Sequence, residues 1–261
     1  MNDDAMELIH RATKASFLRL FLDYDGTLAD FAPSPDILLP DPNLIALVKR
    51  LVSAKGILPA IISGRKLEHI EKLLPIKGLL LAGTYGIEMK LPDGQYRYAL
   101  EYQEIRPIIE RIFPLWKKII KNRDDFYLED KGWSIALHGR FARETDAHNV
   151  MESAQQIVKD HQPDPRFGLF EGERFLEYAP LAASKTIAAK WIVDHLTPKD
   201  AFPVYIGDDD KDEEAFAVAI KSGGLAIRIS DNSRITQAQF CLKNPAETRS
   251  WLNDLLSLRR E

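Results

Sequence analysis

Phe17-Leu18-Arg19-Leu20-Phe21-Leu22-Asp23-Tyr24-Asp25-Gly26-Thr27-Leu28 decides the fold. Its first six residues are apolar except Arg19, which predicts a short buried strand over residues 17–22. Two carboxylates, Asp23 and Asp25, follow directly, and Gly26 permits a sharp turn after them. In an open parallel sheet, ligands bind beyond the carboxyl ends of the strands, so both aspartates are expected to project there. A carboxylate in that place can attack phosphorus and form an acyl phosphate. A second carboxyl beside it can protonate the leaving oxygen and later activate water. The plainer reading of Asp-x-Asp-Gly is a surface turn, and the buried run before it weighs against that.

Downstream the apolar pattern alternates between strand and helix. Asp41-Pro42 reads as a helix start, with Leu44, Leu47, Val48 and Leu51 at helical spacing and Gly56 past the end. Residues 57–62 read as a strand, Leu67, Ile70, Leu73 and Leu74 as a helix, and residues 79–82 as a third strand. Strands alternating with helices argue for a parallel sheet with right-handed crossovers. The pattern then changes. Residues 87–91 and 96–100 flank the turn Pro92-Asp93-Gly94 as a hairpin. Beyond it come a helix over 102–120, strands over 126–128 and 134–138, a helix over 145–159, and a hairpin of 167–170 with 174–178. That order predicts a small α+β layer inserted between Pro107 and Pro180. After Pro180 the α/β pattern returns: helices over 185–195, 213–221 and 247–258, and strands over 204–206, 225–229 and 240–242.

A second acidic run, Gly207-Asp208-Asp209-Asp210-Lys211-Asp212-Glu213-Glu214, follows the strand at 204–206. Acidic residues suit a helix start, which accounts for Asp212 to Glu214. Asp208 to Asp210 fit that reading less well. A divalent cation taking hard oxygen ligands would relieve their repulsion, and Asp208 is placed to join Asp23 and the backbone carbonyl of Asp25. Ser63-Gly64-Arg65 ends a strand and opens a helix, where a hydroxyl and free N–H groups can bind phosphate. Lys185 opens another helix and could neutralise phosphate and the nucleophile.

The chain has 261 residues, 45% hydrophobic and 28% charged, with a net charge of -4. That is the composition of an ordinary soluble globular protein, and it gives no general basic footprint for nucleic acid. Cys241 is the single cysteine, so no internal disulfide and no cysteine-based zinc site can form. Met1-Asn2-Asp3-Asp4 has the wrong charge for a secretory leader. The apolar runs fall short of the roughly 20 residues that span a bilayer. A cytoplasmic enzyme without membrane or nucleic-acid partners is expected.

Taken in order, these motifs resemble the haloacid dehalogenase superfamily: Asp23 and Asp25 its first motif, Ser63 its second, Lys185 its third, and Asp208 with Asp212 its fourth. The resemblance implies an α/β fold with a Rossmann-like parallel-sheet core over residues 1–106 and 180–261. It also implies an α+β cap of the C2B type over residues 107–179. Within the superfamily the sequence is most similar to the trehalose-6-phosphate phosphatase family. Residues 22–28 are similar to that family's first motif, and the 33–40 stretch with Pro35-Asp36 is similar to the segment after it. Residues 207–216 resemble its GDDxTDExAF signature. Glu129-Asp130-Lys131-Gly132, Ser134 and His138-Gly139-Arg140 resemble EDKGxSxxxHYR, and residues 174–180 resemble the strand carrying a substrate-binding glutamate, here Glu177. Four places depart from the pattern: Lys211 stands for Thr, Gly139 for Tyr, Tyr85 for the His of GxHG, and residues 182–186 only loosely match an Asn-Lys-Gly segment.

The resemblance implies a phosphatase that takes trehalose 6-phosphate with Mg2+ as cofactor. Asp23 is then the nucleophile and Asp25 the acid and base, while Ser63 and Lys185 hold the phosphoryl group. Asp23, Asp25, Asp208 and Asp209 are implied to bind the metal, with Asp212 behind them. Arg65, Glu129, Lys131, His138, Arg140 and Glu177 are implied to bind the sugar phosphate. Other readings stay open: another glycosyl phosphate (glucosylglycerol phosphate, mannosylglycerate phosphate or sucrose 6-phosphate), a phosphomutase with the same cap, or a non-catalytic phosphosugar sensor.

Overall fold

The computed structural model describes residues 10–31, 39–161, 164–230 and 235–259. Of the 33–40 stretch, residues 33–38, including Pro35-Asp36, lie outside the described residues. The chain divides into two compact units. One comprises the chain up to Arg97 together with the chain from Ser184 onward, and the other is Tyr98–Ala183.

The first unit is built on β1, Leu18–Leu22, buried along its whole length. Strands β2 (Ile57–Ile62), β3 (Leu80–Gly83), β4 (Glu88–Lys90) and β5 (Tyr96–Tyr98) extend the sheet on one side of it. Strands β10 (Phe202–Gly207), β11 (Leu225–Ile229) and β12 (Phe240–Leu242) extend it on the other. The six strands from β12 to β3 run parallel, and β4 pairs antiparallel with β3. The chain leaves β1 toward β2 and returns later to β10. The sheet therefore changes direction at β1, and a crevice is expected at that strand's carboxyl end.

The residues of β1 alternate between two cores. Leu18, Leu20 and Leu22 pack with helices α1 (Pro42–Ser53), α2 (Leu67–Leu73) and α7 (Pro245–Leu258). Phe21 packs on the other face with α5 (Lys185–Leu196) and α6 (Asp210–Lys221). Arg19 interrupts the apolar run because it ties the far end of the strand. Its guanidinium, 3% exposed, donates to Leu58 O (2.9 Å), Thr197 Oγ1 (2.9 Å) and Leu196 O. Burial lowers its pKa to about 10, still cationic at neutral pH. The Asp41-Pro42 start is observed as expected: Asp41 accepts from the Asn43 N–H at 2.8 Å, with Pro42 in the first turn.

The second unit holds α3 (Tyr102–Ile119), α4 (Glu144–Asp160) and a four-stranded antiparallel sheet in the order β6-β7-β9-β8. Those strands are β6 (Tyr127–Asp130), β7 (Ile135–His138), β8 (Phe167–Gly172) and β9 (Phe175–Pro180). The expected hinge at Pro107 is corrected. Pro107 lies inside α3, as does Pro114, and the unit begins at Tyr98. A proline within a helix removes one backbone hydrogen bond. Here burial of Ile105, Ile108, Ile109, Ile112 and Trp116 along one face offsets that loss. Trp116 also donates from Nε1 to Ala154 O of α4 at 3.0 Å. No helix among the described residues is long and apolar enough to cross a membrane.

Candidate active site

Asp23 follows β1 directly and is 4% exposed. Its N–H continues the sheet by donating to Ile206 O at 3.0 Å, which fixes it against the end of β10. Asp208 follows β10. Gly26, at φ +77°, lets the loop after β1 come close to Asp208: a Cβ there would lie 2.3 Å from Asp208 Oδ2. Thr27 Oγ1 donates to Asp208 Oδ1 at 3.2 Å. Lys185 enters from the first turn of α5, with its ammonium 3.0 Å from Asp23 Oδ1, 2.8 Å from Asp212 Oδ1 and 3.4 Å from Asp209 Oδ1.

Carboxylate oxygens of Asp23, Asp208 and Asp212 all lie within 4.8 Å of one another. Asp212 is heavily engaged. Its Oδ1 accepts from Lys185 and from the Tyr205 hydroxyl (2.9 Å), and its Oδ2 from the N–H groups of Asp208 (3.1 Å) and Asp209 (3.2 Å). Asp212 therefore orients the loop, and Asp23 with Asp208 offers the open acceptor capacity. Asp209 differs from its expected place among the metal ligands. It caps α6, its Oδ1 accepting from the Asp212 N–H at 2.8 Å, and nearly half of its side chain faces solvent. Because of that cap, α6 begins at Asp210, three residues earlier than the apolar pattern suggests.

The charges are unbalanced. Burial, with the repulsion of Asp212 and Asp209, pushes Asp208 up to about 7 although Lys185 opposes it. Burial likewise raises Asp23 and Asp212 well above the carboxylate range against the pull of Lys185. Burial alone would lower Lys185, but its three carboxylate partners carry its pKa well above the ordinary value. A set of hard oxygen donors that cannot all ionise beside one ammonium suits a divalent cation such as Mg2+. A carboxyl raised in the folded chain from its unfolded value of about 3.9 favours folding at low pH. That contribution fades as pH climbs through the folded value near 7. Chelator-treated protein is therefore expected to melt at a higher temperature at pH 6 than at pH 8, and added Mg2+ to close most of the gap at pH 8. Equal melting temperatures without metal would count against this account.

Arg65 was expected on the substrate and is found on Asp25. Its Nε and Nη2 reach Asp25 Oδ2 and Oδ1 at 2.6 and 2.7 Å, a two-point ion pair. Ser63 accepts from the Arg65 N–H at 3.1 Å, and α2 begins only at Leu67, so Ser63 sits in a loop and not at a helix start. Forty residues separate Asp25 from Arg65, and no local pattern reveals the pair.

The second unit gathers most of the other candidates on one sheet face. Glu129, Ala136 and Glu177 stand in register across β6, β7 and β9 and share that face, whereas Leu128, Leu137 and Leu176 share the other. Glu177, fully buried, accepts at Oε1 from Lys131 Nζ (3.1 Å) and Ser134 Oγ (2.8 Å). Glu129 meets His138 Nε2 at 3.1 Å. Burial would raise Glu129, but the His138 hydrogen bond and Lys131 hold it below its usual value. Arg140 stands apart: it is exposed, and its carbonyl accepts from Arg174 at 3.4 Å. Sequence reasoning missed Arg106, which holds Asp130 with two hydrogen bonds of 2.8 Å and so fixes the turn before Ser134.

A family model described as trehalose-phosphatase matches residues 21–246, which include every one of these groups. The chain belongs to the trehalose-phosphatase family. It is accordingly a phosphoric monoester hydrolase. It is 28% identical to a probable trehalose-phosphate phosphatase E of Arabidopsis thaliana over 270 residues, covering 97% of this chain and 74% of the relative. It is 28% identical to a probable trehalose-phosphate phosphatase 4 of Oryza sativa over 262 residues, covering 98% and 70%. Among solved structures it is similar to the C-terminal domain of a Candida albicans trehalose-6-phosphate phosphatase. That match has a TM-score of 0.83 at 20% identity, covering 97% of this chain and 96% of the other. An identity that low speaks for the fold: a parallel-sheet core with a cap, as the haloacid dehalogenase resemblance implied.

Proposed function

We propose that this chain hydrolyses trehalose 6-phosphate to trehalose and inorganic phosphate through an aspartyl-phosphate on Asp23, with Mg2+ as cofactor. The observation that carries the chemistry is the buried Asp23 carboxylate 3.0 Å from Lys185, with Asp208 after β10 and Asp212 in the first turn of α6 grouped around it. The sugar is inferred from the relatives, which are named as trehalose-phosphate phosphatases.

In the first step an Asp23 oxygen bonds to phosphorus and the bond from phosphorus to the sugar oxygen breaks. Asp25, released from Arg65 and protonated, gives its proton to that oxygen. In the second step Asp25 takes a proton from water, the water oxygen bonds to phosphorus, and the Asp23 carboxylate leaves. Arg65 then turns to the phosphoryl oxygens along with Ser63 and Lys185, so entry of an anion is what opens the ion pair. Mg2+, held by Asp23, Asp208 and the Asp25 carbonyl, would supply positive charge against the phosphoryl oxygens. Fixed charges and donors account for most catalysis in phosphoryl transfer. The row of Glu129, Lys131, Ser134, His138 and Glu177 offers donors and acceptors suited to sugar hydroxyls, and it is proposed to choose the sugar.

One observation favours a related glycosyl phosphate as a second reading. A Cβ at Gly139, where the family carries Tyr, would lie 2.9 Å from the Phe126 ring, so the family's aromatic side chain fits there only if Phe126 moves. Phosphate release from trehalose 6-phosphate, sucrose 6-phosphate, glucosylglycerol phosphate and mannose 6-phosphate, with and without Mg2+, tests both. A Mg2+-dependent preference for trehalose 6-phosphate is expected. Preference for another ester would move the substrate and keep the mechanism, and turnover without any divalent ion would remove the metal from it.

A further inference from the structure

Two of the positions that depart from the family pattern touch each other. The Lys211 ammonium lies 3.6 Å from the centroid of the Tyr85 ring. Tyr85 belongs to a short turn after β3 in which Thr84, Tyr85 and Gly86 have φ of 47°, 55° and 95°. For Thr and Tyr that backbone is strained and persists only where its surroundings hold it.

The turn is held at three points. Thr84 N–H donates to Arg65 O at 2.7 Å, and Tyr85 N–H donates to Ser63 O at 2.9 Å. Between those two residues the Tyr85 ring covers Gly64, where a Cβ would lie 2.6 Å from its hydroxyl and Cζ. The ring, 8% exposed, thus rests on the loop that carries Ser63 and Arg65. Lys211 is in the first turn of α6, between the capping Asp209 and the Asp212 that binds Lys185. One aromatic ring therefore stands between the acidic turn of α6 and the Ser63–Arg65 loop.

We propose that Lys211 and Tyr85 act as one positioning unit, a cation–π strut that sets the spacing between the Asp208–Asp212 loop and the Ser63–Arg65 loop. This rests on the phosphatase reading above, because the spacing matters only if one loop serves the metal and the other the phosphoryl group. The two departures are then a single coupled exchange. The usual His and Thr would offer a smaller ring and no cation.

The experiment is a double-mutant cycle on the whole chain, Tyr85→Leu, Lys211→Met and both together, with Tyr85→Phe and Lys211→Arg as conservative controls. Steady-state kinetics with Mg2+ use p-nitrophenyl phosphate and trehalose 6-phosphate, and thermal melts follow folding. Lys211 is half-buried, and a cation–π contact of ~1–2 kcal/mol that acts on the transition state corresponds to a loss of about 5- to 30-fold in kcat for each single variant. KM is expected to change little. The double variant should lose no more than the worse single one. Each conservative control, Tyr85→Phe or Lys211→Arg, keeps a ring and a cation in place and should keep most of the rate. Losses that multiply in the double variant, or a Lys211→Met enzyme of unchanged kcat, would overturn the proposal. So would lowered melting temperatures with kcat intact, which mark a contact that serves folding alone. A wild type silent on both esters would instead remove the phosphatase reading, and a wild type active only on p-nitrophenyl phosphate would remove the sugar assignment and leave the strut to be judged on that ester.

Discussion

Asp23→Asn is expected to abolish phosphate release while leaving the chain folded. The carboxylate is 4% exposed and held at the end of β1 by the N–H bond to Ile206, so an amide of the same shape fits without rearrangement. An amide does not attack phosphorus. Removing a nucleophile that acts with its partners as a unit costs on the order of 10^4-fold or more in kcat. The fold should not suffer, because Asp23 is already a reluctant anion. Burial and the neighbouring Asp208 and Asp209 oppose its ionisation, and Lys185 only partly compensates. Without metal, the variant is expected to melt at the wild-type temperature or above it. Phosphate release at more than a few per cent of wild type would end the assignment of Asp23 as nucleophile, and a melt in the presence and absence of Mg2+ shows whether the protein measured was folded.

Lys185→Met is expected to damage both stability and turnover. The lysine side chain is 1% exposed and is the ammonium around which Asp23, Asp209 and Asp212 are arranged. Truncating one partner of a buried ion pair leaves charge without compensation and costs about 3–5 kcal/mol. For a chain of this size that corresponds to a fall of roughly 10 °C in melting temperature. Asp212 is fully buried, so it cannot turn to water for relief and must take up a proton instead. Mg2+ should recover part of the lost stability by replacing the missing positive charge, but not the rate, because the ammonium that holds the phosphoryl group beside Asp23 remains absent. A melting temperature within about 2 °C of wild type, measured in chelator, would show that the cluster is not held by this lysine.

The sequence carried the frame of the site well. An apolar run ending in Asp23 is readable because a central parallel strand is buried on both faces, and β1 is such a strand. Asp208 was readable for the same reason at the end of β10. What stayed hidden depends on contacts far apart in the chain. The grip of Arg65 on Asp25 joins the loops after two neighbouring strands, and only the parallel register of β1 with β2 brings them together. Asp209 and Asp212 could have been told apart locally. An acidic residue followed three positions later by another is a helix-start signature in which the first is the cap, and the structure uses them in that way. Pro107 misled as a hinge because a proline suggests a break between units, whereas the helix expected over 102–120 runs straight through it.

The reciprocal cap at the start of α6 has a consequence for how occupancy of the site can be sensed. Asp212 closes the first turn of the helix with one set of its contacts and grips Lys185 and Tyr205 with another. Opening that turn therefore requires the charge cluster to come apart, and anything that tightens the cluster must slow the opening. The amide protons of Asp208, Asp209 and Asp212 become a built-in reporter. Their exchange with solvent deuterium should slow when a divalent ion or phosphate enters, while amides in the middle of α7 keep their pace.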